Sequence, residues 1–175
     1  MPVVLETDRL LLRTFTLEDA AGVLVLSSDP EVMRFLSPPL DQTVADAEKR
    51  VRRAMDHHAR RGFGLNAVVE KATGTVLGSC GVRELEEGPQ IEIGYHFRRD
   101  AWGKGYATEA ARACLRHAFE SLGLTRIVGV VNPLNLASKH VLEKIGLTYE
   151  GQGVYYNTDV LVYAAESTRS PAGRG

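Results

Sequence analysis

The spacing of apolar residues along the chain predicts several helices. Between residues 41 and 61, apolar side chains at Val44, Ala47, Val51 and Met55 recur every three or four positions, as on one face of an amphipathic helix. Similar patterns predict further helices after "TLED" at residues 16 to 19, in "PEVMRFL" at residues 30 to 36, and at residues 104 to 122 and 134 to 145. All of these helices except the one in "PEVMRFL" are long enough to pack one face against a core.

The remaining apolar segments are short, bounded by turn residues and rich in strand-forming residues. We expect seven strands, at residues 9 to 15, 65 to 71, 75 to 85, 90 to 97, 125 to 131, 148 to 156 and 159 to 166. Short turns join the second, third and fourth of them, which predicts an antiparallel meander. Residues 1 to 166 should therefore form one α/β domain, a mixed, mostly antiparallel seven-stranded sheet flanked by helices, and residues 167 to 175 a flexible tail.

Composition excludes several classes of protein. The 21 Lys and Arg residues against 22 Asp and Glu give a net charge of -1, too small to attract nucleic acid or an anionic membrane. No apolar run approaches the roughly 18 residues that span a bilayer, and the first residues lack the pattern of a secretory signal. We therefore expect a soluble, cytoplasmic protein without nucleic-acid or membrane partners.

The cysteines and adjacent histidines suggest neither a metal site nor a disulfide. Cys80 and Cys114 stand in apolar contexts without CxxC spacing, so we expect both to be small core residues. His57 and His58 point to different faces of the predicted helix and lack metal-ligand geometry, so we expect surface residues there. No metal is therefore expected.

The stretch "WGKGYATEA", residues 102 to 110, places two glycines where the helix of residues 104 to 122 starts. Free N–H groups and the positive end of the helix dipole concentrate at such a start, and glycine lets an anion approach the main chain. A phosphate group could bind there, and a plain flexible turn is the alternative. A P-loop is excluded because Lys104 is followed by Gly105 rather than Ser or Thr, and a Rossmann motif because Thr108 stands where its third glycine belongs.

With this turn the chain resembles the GNAT superfamily of N-acetyltransferases, whose diphosphate loop reads Gln/Arg-x-x-Gly-x-Gly/Ala. The segment "WGKGYA" matches at Gly105 and Ala107, has Gly103 as an additional glycine and departs at Trp102. Together with "EIGYHF", "VNPLNLAS" and "VLEKIGLTYEG", it is similar to the branch that acetylates the N-termini of ribosomal proteins, where tryptophan is usual at this place. The resemblance covers about residues 5 to 165 and implies a GNAT-like fold.

The resemblance implies that acetyl-coenzyme A (acetyl-CoA) is the acetyl donor. The strand at Ile93, Gly94 and Tyr95 would pair with the pantetheine arm, as a peptide does in β-augmentation. Main-chain N–H groups of the glycine turn would bind the diphosphate, the Lys104 side chain either adding charge there or remaining solvated, and two asparagines would contact the cofactor. These cofactor-binding residues are Gly103, Lys104, Gly105, Tyr106, Ala107, Thr108, Asn132 and Asn135.

Acetyl transfer to an amine requires a base, a hydrogen-bond donor to the thioester oxygen and a proton for the leaving thiolate. Similar enzymes use a glutamate on this strand as base, which implies Glu92; an ordinary exposed glutamate or an ion pair with an arginine is the alternative. His96 is a weaker candidate for the base. The main-chain N–H of Ile93, Gly94 or Tyr95 is the expected donor to the oxygen.

The resemblance also implies a proton donor. Many family members carry a tyrosine seven residues after the asparagine that corresponds to Asn135, but Leu142 stands there in this chain. In the branch that the chain resembles, a serine three residues after the asparagine lies near the sulfur, which implies that Ser138 is the acid and a cofactor contact. Asn135 and Ser138 lie one turn apart on the same helix edge. Capping of this helix is the alternative role for both residues.

The acceptor is the least specific inference. The resemblance places its groove between a loop around residues 33 to 40 and the final hairpin, where Phe35, Tyr155 and Tyr156 could line it; packing is the alternative role of these aromatic residues. We expect a primary amine as acceptor, which could be a protein N-terminus, an amino acid or a small amine. A catalytically silent acyl-CoA-binding sensor is the alternative function, and a homodimer is left open.

Overall fold

The computed structural model describes residues 2 to 36 and 39 to 168, so part of the predicted acceptor loop and most of the predicted tail lie outside the described residues. The described strands are β1 (Val3–Glu6), β2 (Leu10–Arg13), β3 (Leu65–Glu70), β4 (Val76–Glu84), β5 (Ile91–Phe97), β6 (Arg126–Val131), β7 (Thr148–Tyr155) and β8 (Thr158–Glu166). The described α-helices are α1 (Ala20–Ser27), α2 (Val44–Arg61), α3 (Tyr106–Glu120) and α4 (Leu136–Lys144). Single 3₁₀ turns occur at Leu17–Asp19 and Arg99–Ala101.

The strands form one open sheet in the order β1-β2-β3-β4-β5-β6-β8-β7. Neighbouring strands are antiparallel except β5 and β6, which run parallel. Helices flank this sheet. The predicted α/β fold with a mixed, mostly antiparallel sheet is therefore confirmed.

The sheet has eight strands rather than the predicted seven, because β1 adds an edge strand. Residues Val3–Glu6 pair antiparallel with β2, and an irregularity in the register falls between Val3 and Leu5. The segment has four residues, none of them fully buried. So short a segment has too few alternating positions for the sequence pattern to distinguish it from a loop.

The short helix predicted for residues 30 to 36 is wrong, because this segment forms successive turns. The N–H of Met33 donates to the Asp29 carbonyl (3.0 Å) and that of Leu36 to the Met33 carbonyl (2.9 Å), but no continuous helical series follows among the described residues. The Asp29 carboxylate also accepts from the Glu31 N–H at 2.9 Å. Such local bonds from an aspartate side chain compete with helix formation.

The helix α2 is amphipathic, as its apolar spacing predicts. Its first turn is capped by Thr43, whose Oγ1 accepts from the Asp46 N–H at 3.2 Å, and it ends at Gly62, which adopts a left-handed φ of 75°. Charged residues occupy its outer face. No helix in the described part of the chain combines the length and the apolar character that crossing a bilayer needs.

The core consists of two buried clusters on opposite faces of the sheet. On one side, α3 packs against β4 and β5 with small buried residues that include Ala110, Ala111, Cys114 and Ala118. On the other side, Val23 of α1 and Val51 of α2 pack in a second buried cluster. Each large apolar side chain buried in this way stabilises the fold by about 1.5–3 kcal/mol. Both cysteines are free and buried, so their predicted place in the core is confirmed.

Candidate active site

The only parallel strand pair of the described sheet separates almost as soon as it forms. Between β5 and β6, Cα pairing is confined to Glu92 with Val128. Between β5 and β4, by contrast, pairing continues from Ile91 to Phe97. A gap therefore opens beside the second half of β5, where an amide-bearing ligand could pair with the strand.

The glycine turn that follows β5 leaves a row of hydrogen-bond donors free. Gly103 and Gly105 both adopt left-handed conformations, with φ of 74° and 80°, and α3 starts at Tyr106. Within the described residues, the N–H groups of residues 103 to 108 donate to no protein acceptor, and the series resumes with Glu109 N–H to Gly105 O at 3.0 Å. These donors lie at the positive end of the α3 dipole, so the turn is suited to bind an anion.

Side chains of the turn differ in what they can contribute. The Tyr106 ring is buried and its hydroxyl donates to Glu70 Oε1 at 2.5 Å, so Tyr106 can serve a ligand through its main chain only. The Trp102 indole N–H donates to the Phe97 carbonyl at 2.8 Å, while nearly half of this residue remains exposed. Lys104 is exposed and free to reach a phosphate. The main chain therefore defines this site more than its side chains do.

Glu92 is buried, with 4% of its surface exposed, and its carboxylate is held by two donors. Its Oε1 accepts from Arg83 Nε at 3.0 Å and from the Tyr156 hydroxyl at 2.6 Å. Its Oε2 has no hydrogen-bond partner among the described residues. Among these residues, Asn66 Oδ1 is the only fully enclosed side-chain oxygen or nitrogen without a partner, so Glu92 Oε2 is not fully enclosed. The alternative of an exposed glutamate is therefore wrong. The ion pair with an arginine is present, and it leaves one carboxylate oxygen open to solvent or substrate.

His96 lies on the same face of β5 as Glu92 but has a different environment. The Ser79 hydroxyl lies 3.1 Å from His96 Nδ1. Burial, together with the charges of Arg83 and Arg50, lowers the pKa of His96 to about 4. Four residues of strand place it roughly 13 Å from Glu92. His96 is therefore neutral at physiological pH and too weakly basic to suit the role of base.

The two asparagines before α4 make local hydrogen bonds, and Ser138 of α4 contacts β5. Asn135 caps α4, accepting from the Ser138 N–H at 3.2 Å, and Asn132 Oδ1 accepts from the Leu134 N–H at 3.0 Å. Asn135 therefore has the capping role that the sequence offered as an alternative to cofactor binding. Ser138 Oγ lies 3.0 Å from the Tyr95 hydroxyl, which also donates to the Ser138 carbonyl at 2.9 Å. Ser138 is therefore joined to β5 across the gap.

The sequence interpretation missed the side chains of Tyr95 and Arg83. Burial raises the pKa of Tyr95 well above its ordinary value, so its hydroxyl stays protonated. Arg83 lies directly opposite Glu92 in the register of β4 and β5. The predicted meander contained a signal for the contact between Arg83 and Glu92, because residues that lie opposite each other in a hairpin interact, once its register is known. No local pattern joins Tyr95 to Ser138, which are 43 residues apart.

Of the three aromatic residues predicted for the acceptor groove, Tyr156 is the one that reaches Glu92. Its N–H donates to Glu86 Oε1 at 2.5 Å, which fastens the β7–β8 turn to the β4–β5 loop. Tyr155 lines a cleft of about 440 Å³ whose other lining residues are Leu85, Glu86, Glu87, Gly88 and Gln90. The guanidinium carbon of Arg34 lies 5.0 Å from the centre of the Phe35 ring, and no hydrogen bond or ring–ring contact among the described residues joins Phe35 to either tyrosine.

Metal-binding side chains do not cluster in the described ranges: no group of three or more His, Cys, Asp or Glu could hold a metal ion there. His57 lies partly exposed, with 25% of its side chain accessible, and it also makes protein contacts. Its Nε2 lies 2.5 Å from Glu84 Oε2 and its Nδ1 3.0 Å from the Phe63 carbonyl. Both ring nitrogens of His57 therefore make protein contacts, one of them with the last residue of β4.

A strand pair that separates beside a helix start with free N–H groups is the arrangement that the resemblance to GNAT acetyltransferases implies. The sequence model of the acetyltransferase (GNAT) domain matches residues 9–148. The chain belongs to this family and is an acyltransferase, so the resemblance drawn from its motifs is confirmed.

Individual relatives agree with this assignment. The uncharacterized N-acetyltransferase p20 of Bacillus licheniformis is 34% identical over 148 residues, which cover 84% of this chain and 83% of that protein. The crystal structure of a GNAT-family acetyltransferase from Bacillus anthracis is 29% identical, with a TM-score of 0.80 over 95% of this chain and 98% of that one. RimL, a ribosomal alpha-N-protein acetyltransferase in complex with coenzyme A, has a TM-score of 0.78 at 19% identity over 95% of this chain and 98% of its own, and thus shares the fold.

Proposed function

We propose that this enzyme transfers the acetyl group of acetyl-CoA directly to a primary amine, which is a protein N-terminus, an amino acid or a small amine. The observation that carries the proposal is the row of free N–H groups at residues 103 to 108, placed beside the gap between β5 and β6. The solved RimL structure, which has this fold, contains coenzyme A.

The residues present fit a coenzyme A molecule. A diphosphate has room to approach the main chain at Gly103, because even a Cβ added there would meet no atom within 4 Å. In the proposal, the N–H groups of residues 103 to 108 bind the diphosphate and the main chain of Ile93, Gly94 and Tyr95 pairs with the pantetheine amides. In the same proposal, Asn132, Asn135 and Ser138 contact the cofactor from the α4 side.

Acetyl-CoA supplies an activated acyl group as a thioester. In the proposal, Glu92 removes the proton from the attacking ammonium through its open Oε2, directly or by way of a water molecule. Arg83 and Tyr156 fix the orientation of the carboxylate because both donate to Oε1. A main-chain N–H of Ile93, Gly94 or Tyr95 stabilises the charge that develops on the acyl oxygen, and such donors need no reorganisation during reaction.

Ser138 is the proposed proton donor to the leaving thiolate. Its hydroxyl is positioned by Tyr95, which approaches both the Oγ and the carbonyl of Ser138. Because Tyr95 stays protonated, this contact persists over the whole working pH range. A sensor without catalytic activity would bind the cofactor equally well, but it would not need a buried carboxylate with one oxygen kept free.

The proposal is tested by an acetylation screen read by mass, with coenzyme A release followed in parallel. The panel contains peptides with free N-termini, single amino acids, polyamines and aminoglycosides. We expect amine-dependent release of coenzyme A with at least one of these classes. Binding of coenzyme A without amine-dependent release from any of them would favour the sensor instead.

Glu92→Gln tests the base within the same assay. The variant should lower kcat by about 100-fold while changing the affinity for coenzyme A less than twofold, because Gln keeps the shape and loses the proton acceptor. Glu150→Gln is the matched control, since Glu150 also pairs with an arginine, Arg126, but on the surface. Unchanged turnover of Glu92→Gln over the whole pH range would remove Glu92 from the role of base.

A further inference from the structure

Arg9, the residue directly before β2, has a partly exposed side chain that contacts the glycine turn. Its Nη1 donates to the carbonyl oxygen of Lys104 at 2.9 Å. Its guanidinium carbon lies 4.3 Å from the centre of the Tyr106 ring. A Cβ placed on Gly105 would come within 3.5 Å of Arg9 Nη2. The guanidinium therefore contacts Lys104 and Tyr106 and lies close to Gly105 between them.

Glu109, in the first turn of α3, fixes this guanidinium in place. Its Oε2 accepts from Arg9 Nε at 2.7 Å and lies 2.6 Å from Arg9 Nη2. Its Oε1 accepts from the Thr7 hydroxyl at 2.6 Å and from the Arg9 N–H at 3.0 Å. Although partial burial of Glu109 acts in the opposite direction, the bonds from Thr7 and Arg9 lower its pKa, so the pair stays charged. Arg9 and Glu109 thus form a two-point contact whose geometry suits a guanidinium and no other cation.

The contact with Lys104 determines where the next N–H points. In a trans peptide the carbonyl and the following N–H lie in one plane and point in opposite directions. Because the Lys104 carbonyl points toward the guanidinium of Arg9, the N–H of Gly105 points away from that guanidinium. Gly105 N–H is one of the free donors in the row of residues 103 to 108.

We propose that Arg9, held by Glu109, is a positioning residue that fixes the Lys104–Gly105 peptide in the orientation that binds the diphosphate of the acetyl donor. Arg9 acts through the turn and does not touch the ligand. This inference rests on the proposed function, because it takes the turn to be the diphosphate site. It extends that function to residues outside the glycine motif.

The experiment separates positioning from the effect of positive charge. Coenzyme A affinity is measured by calorimetry for the wild type, Arg9→Lys and Glu109→Gln, with thermal unfolding recorded for each protein. Arg9→Lys keeps the charge but cannot contact Lys104 and Glu109 together, so we expect about tenfold weaker binding. Glu109→Gln makes the site more positive, yet it releases the guanidinium, so we expect weaker binding there as well.

A second measurement tests whether the two substitutions weaken only the binding of the diphosphate. KM is compared for acetyl-CoA and for S-acetylpantetheine, which lacks that group. Both variants should raise KM for acetyl-CoA about tenfold and change KM for S-acetylpantetheine less than twofold. Arg126→Lys, which alters a similar arginine–carboxylate contact with Glu150, is the control and should leave both values unchanged.

Two results would overturn the role of Arg9: wild-type affinity in Arg9→Lys, or equal or tighter binding of coenzyme A in Glu109→Gln. If Arg9→Lys fails to fold, Glu109→Gln decides the question alone. Failure of the wild type itself to bind coenzyme A would contradict the proposed function instead, so the two failures are distinguishable.

Discussion

The hydroxyl of Tyr156 donates a 2.6 Å hydrogen bond to Oε1 of Glu92, although the two residues are 64 positions apart in the sequence. This bond joins the turn between β7 and β8 to the strand that lines the gap in the sheet. Burial and the neighbouring carboxylate raise the pKa of Tyr156, so its hydroxyl remains a donor. The orientation of the proposed base therefore depends on the final hairpin.

Replacing Tyr156 by Phe should reduce catalysis without affecting the donor site. The carboxylate of Glu92 would keep only the bond from Arg83 and could rotate away from the acceptor. The loss of one hydrogen bond to a charged group corresponds to about a tenfold lower kcat, and we expect coenzyme A affinity within twofold of wild type. Steady-state kinetics and calorimetry measure the two values.

Tyr155→Phe is the matched control for this prediction. The Tyr155 hydroxyl accepts from Gln90 Nε2 at 3.2 Å and does not contact Glu92, so kcat should change less than twofold. Equal kcat values for the two variants would show that the Tyr156 bond does not matter for the base.

The conformation of Gly103 should affect stability and ligand binding separately. Gly103 and Gly62 have nearly the same φ, 74° and 75°, and a Cβ on either would meet no atom within 4 Å. Alanine at each position should therefore cost about 1–2 kcal/mol of unfolding free energy, which denaturant titration measures.

Only the change at Gly103 should weaken coenzyme A binding, by about tenfold, because its Cβ would lie where the diphosphate approaches the main chain. The Gly62→Ala protein should bind as the wild type does. If both variants bind coenzyme A normally, the diphosphate does not lie at this turn.

The contact between Tyr95 and Ser138 predicts coupled mutational effects. Ser138→Ala should lower kcat about tenfold, less than a general acid usually contributes, because a thiolate leaves readily. Tyr95→Phe should lower kcat by a smaller factor, since it removes the group that positions the serine. In the double variant the second change should add almost nothing, because both act through one hydroxyl.

The exposed Ser121 at the end of α3 provides a control, and Ser121→Ala should leave kcat unchanged. Fully additive effects of Tyr95→Phe and Ser138→Ala would show that the two hydroxyls act independently of one another.

Local patterns were sufficient for most of the fold, and the reason is physical. The apolar period of α2 and the glycines before α3 are properties of neighbouring residues, so the sequence shows both directly. β1 was missed because an edge strand of four residues has too little pattern. The helix predicted at residues 30 to 36 was wrong because Asp29 offers competing hydrogen bonds.

The candidate site was less predictable than the fold, because its decisive contacts join distant positions. The glycine turn could be predicted from the local sequence of residues 102 to 110 alone. By contrast, the partners of Glu92 come from another strand and from the last hairpin, and the partner of Lys104 is Arg9, 95 residues away. Only the register of the sheet and the packing of α3 bring such pairs together, and neither can be inferred from the local sequence.

The partly buried environment of His96 predicts how stability depends on pH. An unfolded histidine titrates at about 6.5, whereas burial and the charges of Arg83 and Arg50 lower the pKa of folded His96 to about 4. Between these two values the unfolded chain binds a proton that the folded protein does not. Stability should therefore fall as the pH drops from 6.5 to 4, by roughly 3 kcal/mol from this residue, and remain constant in this respect above 6.5.

Denaturant unfolding at several pH values between 4 and 7.5 measures this contribution in wild type and in His96→Gln. Gln can still bond to Ser79 but takes up no proton, so the variant should lose less stability on acidification than the wild type does. His140→Gln is the control, because His140 is exposed on α4 and its replacement should leave the pH dependence nearly unchanged. Parallel curves for wild type and His96→Gln would mean that His96 titrates alike in the folded and unfolded states, and thus that it is not held neutral beside Ser79.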